Sequence, residues 1–304
     1  MVNDISTVYT GEMIDTGDKP DKGPHTSFSQ LSTYLRCSMQ YYFRYVKKAP
    51  DRASLALKLG TAGHAALEWN DKQKIQTGVD KPLPELLAKF SDHYDAETSV
   101  LEADELRPGD DLGKTKDAAM EAVKVYHKLV APTNRPIMVE REFNLDLMAT
   151  DEYQYPLKIV NGRIDLITTE DVLDRKWTSR MKSQNEVDLS YQLSLYELWY
   201  RMTYKQVPNN VGLQVFVPAT AKSPAQAKNL MRSEDIQSLP QRQARWRQLV
   251  HTMRTAQRGM DAGIFIPTND PMKCSSCAYR KVCQSSLAKN DLDAIAIIQK
   301  GRDG

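Results

Sequence analysis

Two aspartates and a lysine in one short stretch carry the clearest chemical signal in the sequence. The stretch runs from Gly162 to Lys176 and reads GRIDLITTEDVLDRK. Apolar and polar residues alternate on both sides of the polar residues 168–171, a pattern typical of two antiparallel strands joined by a tight turn. Asp165 lies three residues before this turn and Asp174 three residues after it. A simple hairpin register therefore places the two carboxylates opposite each other.

The lysine completes a group suited to phosphodiester chemistry. Lys176 follows Asp174 by two residues, and the period of two in a strand puts both side chains on one face. Paired carboxylates suit a hard cation such as Mg²⁺, beside which a lysine can orient or deprotonate the attacking water. A solvated salt bridge on an edge hairpin produces the same Asp-x-Lys pattern, so the tripeptide alone does not separate the two interpretations.

The sequence Gly-Arg-Ile-Asp, a hairpin, then Leu-Asp-Arg-Lys-Trp-Thr resembles the core of the PD-(D/E)XK nucleases, in particular their RecB-like branch. It departs from that branch with Arg175 in place of Tyr and with an additional Trp177 before Thr178, and neither change touches an acid or the lysine. The resemblance implies an α/β domain with a mixed central sheet. It also implies that Asp165, Asp174 and the main-chain carbonyl of Arg175 bind the metal, while the lysine positions the water.

A histidine lies on the helix predicted upstream of the hairpin. The segment LALKLGTAGHAALEW has helical spacing of its apolar residues, and Gly60 and Gly63 are expected to permit close packing. A lone helical histidine is usually structural, but this segment resembles the Gly-x-x-x-His motif of RecB-like nucleases. The resemblance implies that His64 is a metal ligand, and imidazole beside carboxylates suits Mn²⁺ as well as Mg²⁺.

A basic loop and a helix follow the lysine strand. Arg180 lies in the loop and suits a phosphate contact. In the helix DLSYQLSLYELWYRMTY, Gln192 and Tyr196 are four residues apart and share a face. This Gln-x-x-x-Tyr helix resembles a RecB-like feature, which implies that Gln192 and Tyr196 line the active site and hold the DNA strand.

All four cysteines are candidate ligands of a single metal centre. Cys274, Cys277 and Cys283 form the pattern C-x2-C-x5-C, and Cys37 lies far upstream. Closely spaced thiols without a secretory signal favour a metal centre over disulfides, but spacing alone does not separate zinc from a [4Fe–4S] cluster. The arrangement resembles the iron–sulfur RecB-like nucleases, namely AddB-type subunits and CRISPR-associated exonucleases. It implies a [4Fe–4S] cluster that joins the two ends of the domain.

Several other segments have two interpretations. Residues 137–147 alternate as a strand with Glu140 and Glu142 on one face, where a surface position is expected for both although one can approach the metal. The aromatic residues 41–45, interleaved with basic ones, either stack on bases or belong to the core. The basic helix expected over 233–259 faces either DNA or solvent. Residues 211–219 read as a buried strand.

Length and composition indicate an ordinary globular protein. The chain has 304 residues, 41% of them hydrophobic and 26% charged, with a net charge of +2 that does not by itself argue for nucleic-acid binding. No membrane span or signal pattern is visible, which favours the cytoplasm. We expect a flexible arm over 1–26, a RecB-like nuclease domain over 27–284 with a helical insertion at about 69–130 beside the substrate path, and a tail over 285–304.

Together these features predict a Mg²⁺- or Mn²⁺-dependent deoxyribonuclease. The resemblance implies an exonuclease on single-stranded DNA or DNA ends, acting in recombination, repair or CRISPR adaptation, with helicase, recombination or CRISPR-adaptation proteins as further partners. One alternative is a DNA-binding or assembly subunit with the fold but little activity, against which the intact Asp165, Asp174 and Lys176 argue. The other is a structure-specific endonuclease, which a circular single-stranded substrate distinguishes.

Overall fold

The computed structural model describes residues 25–50, 54–101, 106, 110–147 and 157–289. The arm expected over 1–26 lies outside the described residues except for its last two, which belong to a strand. The tail expected over 285–304 is described only up to residue 289, where a helix ends.

Six strands form one mixed sheet. In chain order they are β1 (His25–Ser27), β2 (Pro136–Leu145), β3 (Ile159–Thr168), β4 (Asp171–Trp177), β5 (Asn210–Val217) and β6 (Gln226–Met231). Strand β3 pairs in parallel with β1 and antiparallel with β2 and β4. Strand β4 pairs in parallel with β5, and β5 pairs antiparallel with β6. A mixed α/β fold, as predicted, is therefore present.

The α-helices are α1 (Phe28–Arg36), α2 (Ser38–Tyr41), α3 (Leu55–Thr77), α4 (Leu83–Thr98), α5 (Leu112–Leu129), α6 (Gln184–Asp188), α7 (Tyr191–Tyr204), α8 (Leu239–Asp261), α9 (Pro271–Ser275) and α10 (Arg280–Lys289). A π-helical turn, Tyr42–Val46, follows α2. None of the helices in the described part of the chain is long and apolar enough to cross a membrane.

Polar residues cap the helices near the site. Ser27 caps α1, where its hydroxyl accepts the N–H of Gln30 and the Gln30 side chain accepts the N–H of Ser27. Ser54 and Ser190 cap α3 and α7 through their hydroxyls. Gly78 ends α3 with a φ of 79°, a left-handed conformation that favours glycine. Local sequence therefore sets where the helices carrying the site residues begin.

Helices cover both faces of the sheet. On one face, α3, α4 and α5 pack on β5 and β6 through buried side chains that include Leu67, Leu86, Phe90, Tyr126 and Phe216. On the other face, α1, α7 and α8 pack through side chains that include Leu31, Trp199, Val215, Trp246 and Leu249. Strand β5 is buried from Val211 to Val217 because its adjacent residues 215 and 216 face opposite cores. The described helices within 69–130 thus pack on the sheet as a core layer, which begins with the helix that carries His64.

The hairpin forms as the sequence predicts. Strands β3 and β4 are antiparallel, with Leu166 opposite Leu173 and Ile167 opposite Val172. All four side chains are buried. Toward Asp165 and Asp174, the ladder between β3 and β4 ends at the pair Leu166 and Leu173. Along the same edge of β3, strand β1 pairs only with residues 159–161. The two strands diverge between these points, and Asp165 and Asp174 lie at the divergence.

The basic helix is α8, but its arginines do not share one exposed face. Arg242 is buried, and its Nη1 donates to Oε1 of Glu197 at 2.6 Å. Arg232 donates to the other oxygen of Glu197 at 3.2 Å. Arg242 therefore faces neither DNA nor solvent, and both interpretations of this position were wrong, whereas Arg247 is exposed. Burial of a carboxylate on α7 explains the difference, because it requires a buried cationic partner.

A small core joins the beginning and the end of the described chain. It contains buried Met39, Tyr42 and Phe43 together with Tyr279 and Val282, and we call it the end cluster. The rings of Phe43 and Tyr279 stack with centroids 5.8 Å apart. The core interpretation of the aromatic segment 41–45 is thereby confirmed for Tyr42 and Phe43, whose buried rings cannot stack on bases.

Candidate active site

Asp165 bridges the gap between the diverging strands. Its side chain is largely buried, and its Oδ2 accepts the main-chain N–H of Arg175 at 2.6 Å. A side chain thus takes the place that a main-chain carbonyl would occupy in a continuous ladder. The other oxygen, Oδ1, faces helix α3 and lies 3.6 Å from Nδ1 of His64. This carboxylate therefore connects the hairpin to the helix.

Three elements contribute one possible metal ligand each. His64 on α3, Glu140 on β2 and Asp165 on β3 place their ligand atoms within 4.8 Å of one another. Nδ1 of His64 is 3.6 Å from Oε1 of Glu140. That Glu140 oxygen is buried and accepts no hydrogen bond from the described residues. Two carboxylates and an imidazole with an unsatisfied buried oxygen fit a divalent cation such as Mg²⁺ or Mn²⁺.

Glu140 was expected at the surface, and this expectation was wrong. Its φ is 49°, which is uncommon for a residue other than glycine and interrupts the regular alternation of β2. Its side chain is about 10% exposed and forms an ion pair with Arg163, with Nε 2.7 Å from Oε2, whereas Glu142 is exposed. Period-two reasoning assigned both glutamates to one face. Only the irregular backbone separates them, and no local sequence pattern indicates it.

A chain of polar contacts runs through the second aspartate. Nζ of Lys176 is 2.6 Å from Oδ2 of Asp174 and donates to Oε1 of Gln192 at 3.1 Å. Nε2 of Gln192 donates to the hydroxyl of Tyr196 at 2.7 Å. The Tyr196 hydroxyl lies 3.2 Å from Oδ1 of Asp174 and 2.8 Å from the main-chain oxygen of Arg163. The predicted motif residues on β4 and α7 therefore meet at one carboxylate.

Burial and charge set the ionisation of these groups. Burial, and then the nearby carboxylate of Asp174, raise the pKa of Asp165 to about 6. Burial also works against the ammonium of Lys176, but the adjacent Asp174 carboxylate outweighs it and raises the pKa of Lys176. Lys176 is consequently a cation that donates hydrogen bonds. A second cation between Glu140 and Asp165 would offset their crowded negative charge.

Two residues expected to contact DNA lie in different surroundings. Tyr196 is 2% exposed, and its hydroxyl is engaged behind Asp174, so it reaches the solvent side of the site only through Gln192. Arg180 is exposed, but its guanidinium forms a bidentate pair with Glu186 at 2.7 and 3.0 Å. Gln192 itself is partly exposed.

An open groove borders the lysine. It has a volume of about 530 Å³, and its lining includes Lys176, Thr178, Lys182, Asn185 and Leu189. Lys182 lies 3.0 Å from the same Glu186 that holds Arg180. The groove thus begins at the cationic end of the site and has both polar and apolar walls.

Three of the four cysteines, Cys37, Cys277 and Cys283, pack against the end cluster. Cys37 caps the end of α1, Cys274 lies on α9 and Cys283 on α10, while Cys277 lies between these two helices. Burial raises the pKa of the Cys283 thiol, and the thiols of the other three raise it further. All four thiols are thus within electrostatic range of one another. Among the described residues, however, no three thiols lie within 4.8 Å of each other.

The comparisons with known proteins concern nearly the whole chain. The family model described as the PD-(D/E)XK nuclease superfamily matches residues 25–284. The Gene 69 protein of Mycobacterium phage D29 is similar, with 22% identity over 276 residues that cover 86% of this chain and 97% of that protein. The crystal structure of SSO0001 aligns at 12% identity and a TM-score of 0.30, covering 71% of this chain and 95% of that one.

Proposed function

The chain belongs to the PD-(D/E)XK nuclease superfamily, and from this premise we propose that it is a divalent-metal-dependent deoxyribonuclease. The observation that carries the proposal is the meeting of His64, Glu140 and Asp165 on one side of the diverging hairpin strands, with Asp174 and Lys176 on β4 beside them. This arrangement combines ligands for a hard cation with a cationic donor next to an open groove.

The proposed metal ligands are His64, Glu140 and Asp165, with Asp174 and the main-chain carbonyl of Arg175 completing the set. Glu140 is an addition to the residues that the sequence motifs indicate, supported by its buried and unsatisfied oxygen. When bound, Mg²⁺ or Mn²⁺ lowers the pKa of water and stabilises negative charge on phosphorus oxygens.

Lys176 is proposed to orient the attacking water and to donate a hydrogen bond to the scissile phosphate. Asp174 and Gln192 fix the ammonium from two sides. Tyr196 acts indirectly, because its buried hydroxyl holds both Gln192 and Asp174 in place beside Lys176. A donor that is positioned before the reaction stabilises the developing charge without reorganisation at the moment of reaction.

The proposed substrate is DNA, as a single strand or at a DNA end, with the strand lying in the groove beside Lys176. Gln192 contacts the strand near the reacting phosphate. Arg180 binds a phosphate after exchanging its partner Glu186, which is feasible because both side chains are at the surface. We assign this exonuclease activity to DNA-end processing in recombination, repair or CRISPR adaptation.

A [4Fe–4S] cluster at the end cluster is part of the proposal. It is supported by the position of the other three thiols near Cys283, whose pKa they raise. Four thiolates would hold the cluster, and a zinc ion takes the same ligands.

The test is degradation of end-labelled linear single-stranded DNA by anaerobically purified protein with Mg²⁺ or Mn²⁺. We expect loss of the DNA with wild type, none with EDTA, and a decrease of about 10²- to 10⁴-fold for Lys176→Ala, as for removal of a positioned proton-handling or donor group. Lys128→Ala, which removes an exposed lysine on α5 outside the site and the groove, serves as the control and retains the wild-type activity.

The position of the label and the form of the DNA identify the type of nuclease activity. A 5′ or a 3′ label gives the polarity of an exonuclease, and circular single-stranded DNA remains intact. Cleavage of the circle would show an endonuclease instead. Folded, metal-loaded protein that binds DNA but cleaves none of these substrates would contradict the proposal and favour a binding subunit.

A further inference from the structure

A fully buried ion pair lies directly behind the candidate active site. Nη2 of Arg175 donates to Oδ2 of Asp71, and both side chains are 0% exposed. Nε of Arg175 donates to Oε1 of Gln214 at 3.0 Å, and the hydroxyl of Tyr126 lies 3.4 Å from Oδ1 of Asp71. Burial opposes the guanidinium charge, but the Asp71 carboxylate outweighs it and raises the pKa of Arg175. Burial raises the pKa of Asp71 as well, against the attraction of the guanidinium. Directional contacts therefore hold a charged guanidinium against the Asp71 carboxyl group.

Arg175 lies between the two chemical residues of β4 and faces the other way. Asp174 and Lys176 point toward α7, where Gln192 and Tyr196 lie. The side chain of Arg175 points toward α3, while its main-chain N–H donates to Asp165 in the site. Because Asp174 and Lys176 are its neighbours in β4, a shift or a rotation of Arg175 would also move these two side chains on the opposite face of the strand.

Asp71 is linked in a similar way to the histidine. It follows His64 on α3 by seven residues, two helical turns, so both side chains lie on the side of α3 that faces the sheet. Next to His64, Gly63 lets the helix contact Trp177 on β4, since a Cβ at residue 63 would lie 2.2 Å from the indole. Helix α3 thus contacts β4 both at Gly63, next to His64, and two turns further along at Asp71.

We infer that the Asp71–Arg175 pair is a positioning element for the metal site, which fixes the rotation and the axial position of α3 so that His64 reaches Glu140 and Asp165. An apolar contact between helix and sheet is non-directional, whereas a buried ion pair allows few arrangements. Its contribution to net stability is expected to be small because desolvation offsets the attraction. This inference rests on the metal site proposed above.

The test compares Mn²⁺ affinity, measured by calorimetry, with thermal stability in three double variants. Asp71→Leu/Arg175→Met replaces the pair by apolar side chains, and Asp71→Asn/Arg175→Gln replaces it by a neutral hydrogen-bonding pair. The matched control is Lys74→Met/Asp80→Leu, which removes the ion pair between buried Lys74 on α3 and partly exposed Asp80 just beyond the helix. Its Nζ–Oδ2 distance is 2.9 Å, and it does not involve β4.

We expect the apolar pair to lower Mn²⁺ affinity about tenfold or more, as loss of an outer partner of a metal ligand does. The neutral hydrogen-bonding pair should stay within about threefold of wild type and the control within about twofold, whatever their melting temperatures. Excess Mn²⁺ should restore the DNA cleavage of the apolar variant. A folded apolar variant that binds Mn²⁺ like wild type, or affinity losses that follow melting temperature in all three variants, would overturn the inference.

Two other results of this test have a separate meaning. If the apolar variant does not fold, Tyr126→Phe takes its place, because it removes only the hydroxyl beside Asp71. It is expected to lower Mn²⁺ affinity about two- to threefold, and unchanged affinity would contradict the inference. If wild type itself binds no Mn²⁺, the proposed metal site fails and the positioning role falls with it.

Discussion

Glu140 and Glu142 are two residues apart on β2 but lie in different surroundings. Glu140 is held beside His64 and Arg163, while Glu142 is exposed. The difference arises from the positive φ of Glu140. At the scale of single residues the site thus depends on one irregular backbone position, which brings a third possible ligand atom within 4.8 Å of those of His64 and Asp165.

Glu140→Gln should weaken Mn²⁺ binding about tenfold or more, because it removes a charged ligand oxygen while it keeps the size of the side chain. Glu142→Gln is the matched control and should leave the affinity unchanged. Calorimetric titration of both variants measures the effect. Equal affinities for the two variants would remove Glu140 from the metal site.

The contact between α3 and β4 sets the geometry at the scale of elements. Trp177 stacks on Phe216 with ring centroids 4.8 Å apart, and its indole also meets the backbone of α3 at Gly63. Gly60 was expected to allow close packing as well, and this was wrong, since a Cβ there meets nothing within 4 Å. The packing role therefore belongs to Gly63 and not to Gly60, the glycine of the Gly-x-x-x-His motif.

Gly63→Ala should destabilise the protein by about 1–3 kcal/mol, because the added methyl group overlaps the buried Trp177 indole and separates α3 from β4. Gly60→Ala is the control in the same helix. It should be neutral or stabilise by up to about 1 kcal/mol through helix propensity. Urea unfolding of both variants measures the difference, and similar stabilities would contradict the close contact at Gly63.

Much of the arrangement of elements could be predicted from the sequence, because the signals are local. Alternation indicated the β3–β4 hairpin, and the helical spacing of apolar residues indicated α3. The partners of buried charges could not be predicted. Arg175 pairs with Asp71 across 104 positions, and Arg242 pairs with Glu197, contacts that depend on how α3 and α8 pack on the sheet. The burial of Tyr196 has the same origin.

At the scale of the whole molecule, the two ends of the described chain meet at the end cluster. Main-chain and side-chain contacts support this meeting: Ser38 exchanges hydrogen bonds with Ile266 at 3.0 and 2.6 Å, and Nη2 of Arg36 donates to Ser276 at 3.2 Å. A cluster bound by Cys37 and the three C-terminal cysteines would hold α1 against α9 and α10. It would thereby also tether the sheet, whose strands β2 to β6 lie between these helices in the chain.

Cys37→Ser should therefore abolish iron binding and lower the melting temperature of anaerobically purified protein, because it removes the cysteine that links the two ends. Ser275→Ala, an exposed neighbour of Cys274, is the control. Iron and zinc analysis together with thermal unfolding measure both effects. Stoichiometric zinc without iron in wild type would replace the cluster by a zinc site.

The most direct test of the metal-dependent nuclease is one Mn²⁺ titration in which metal binding and loss of labelled single-stranded DNA are followed together, for wild type and His64→Ala. The account predicts that cleavage by wild type rises over the same Mn²⁺ concentrations as binding, and that both shift to higher concentrations in His64→Ala. Cleavage without metal, or saturated metal binding without any cleavage, would contradict it.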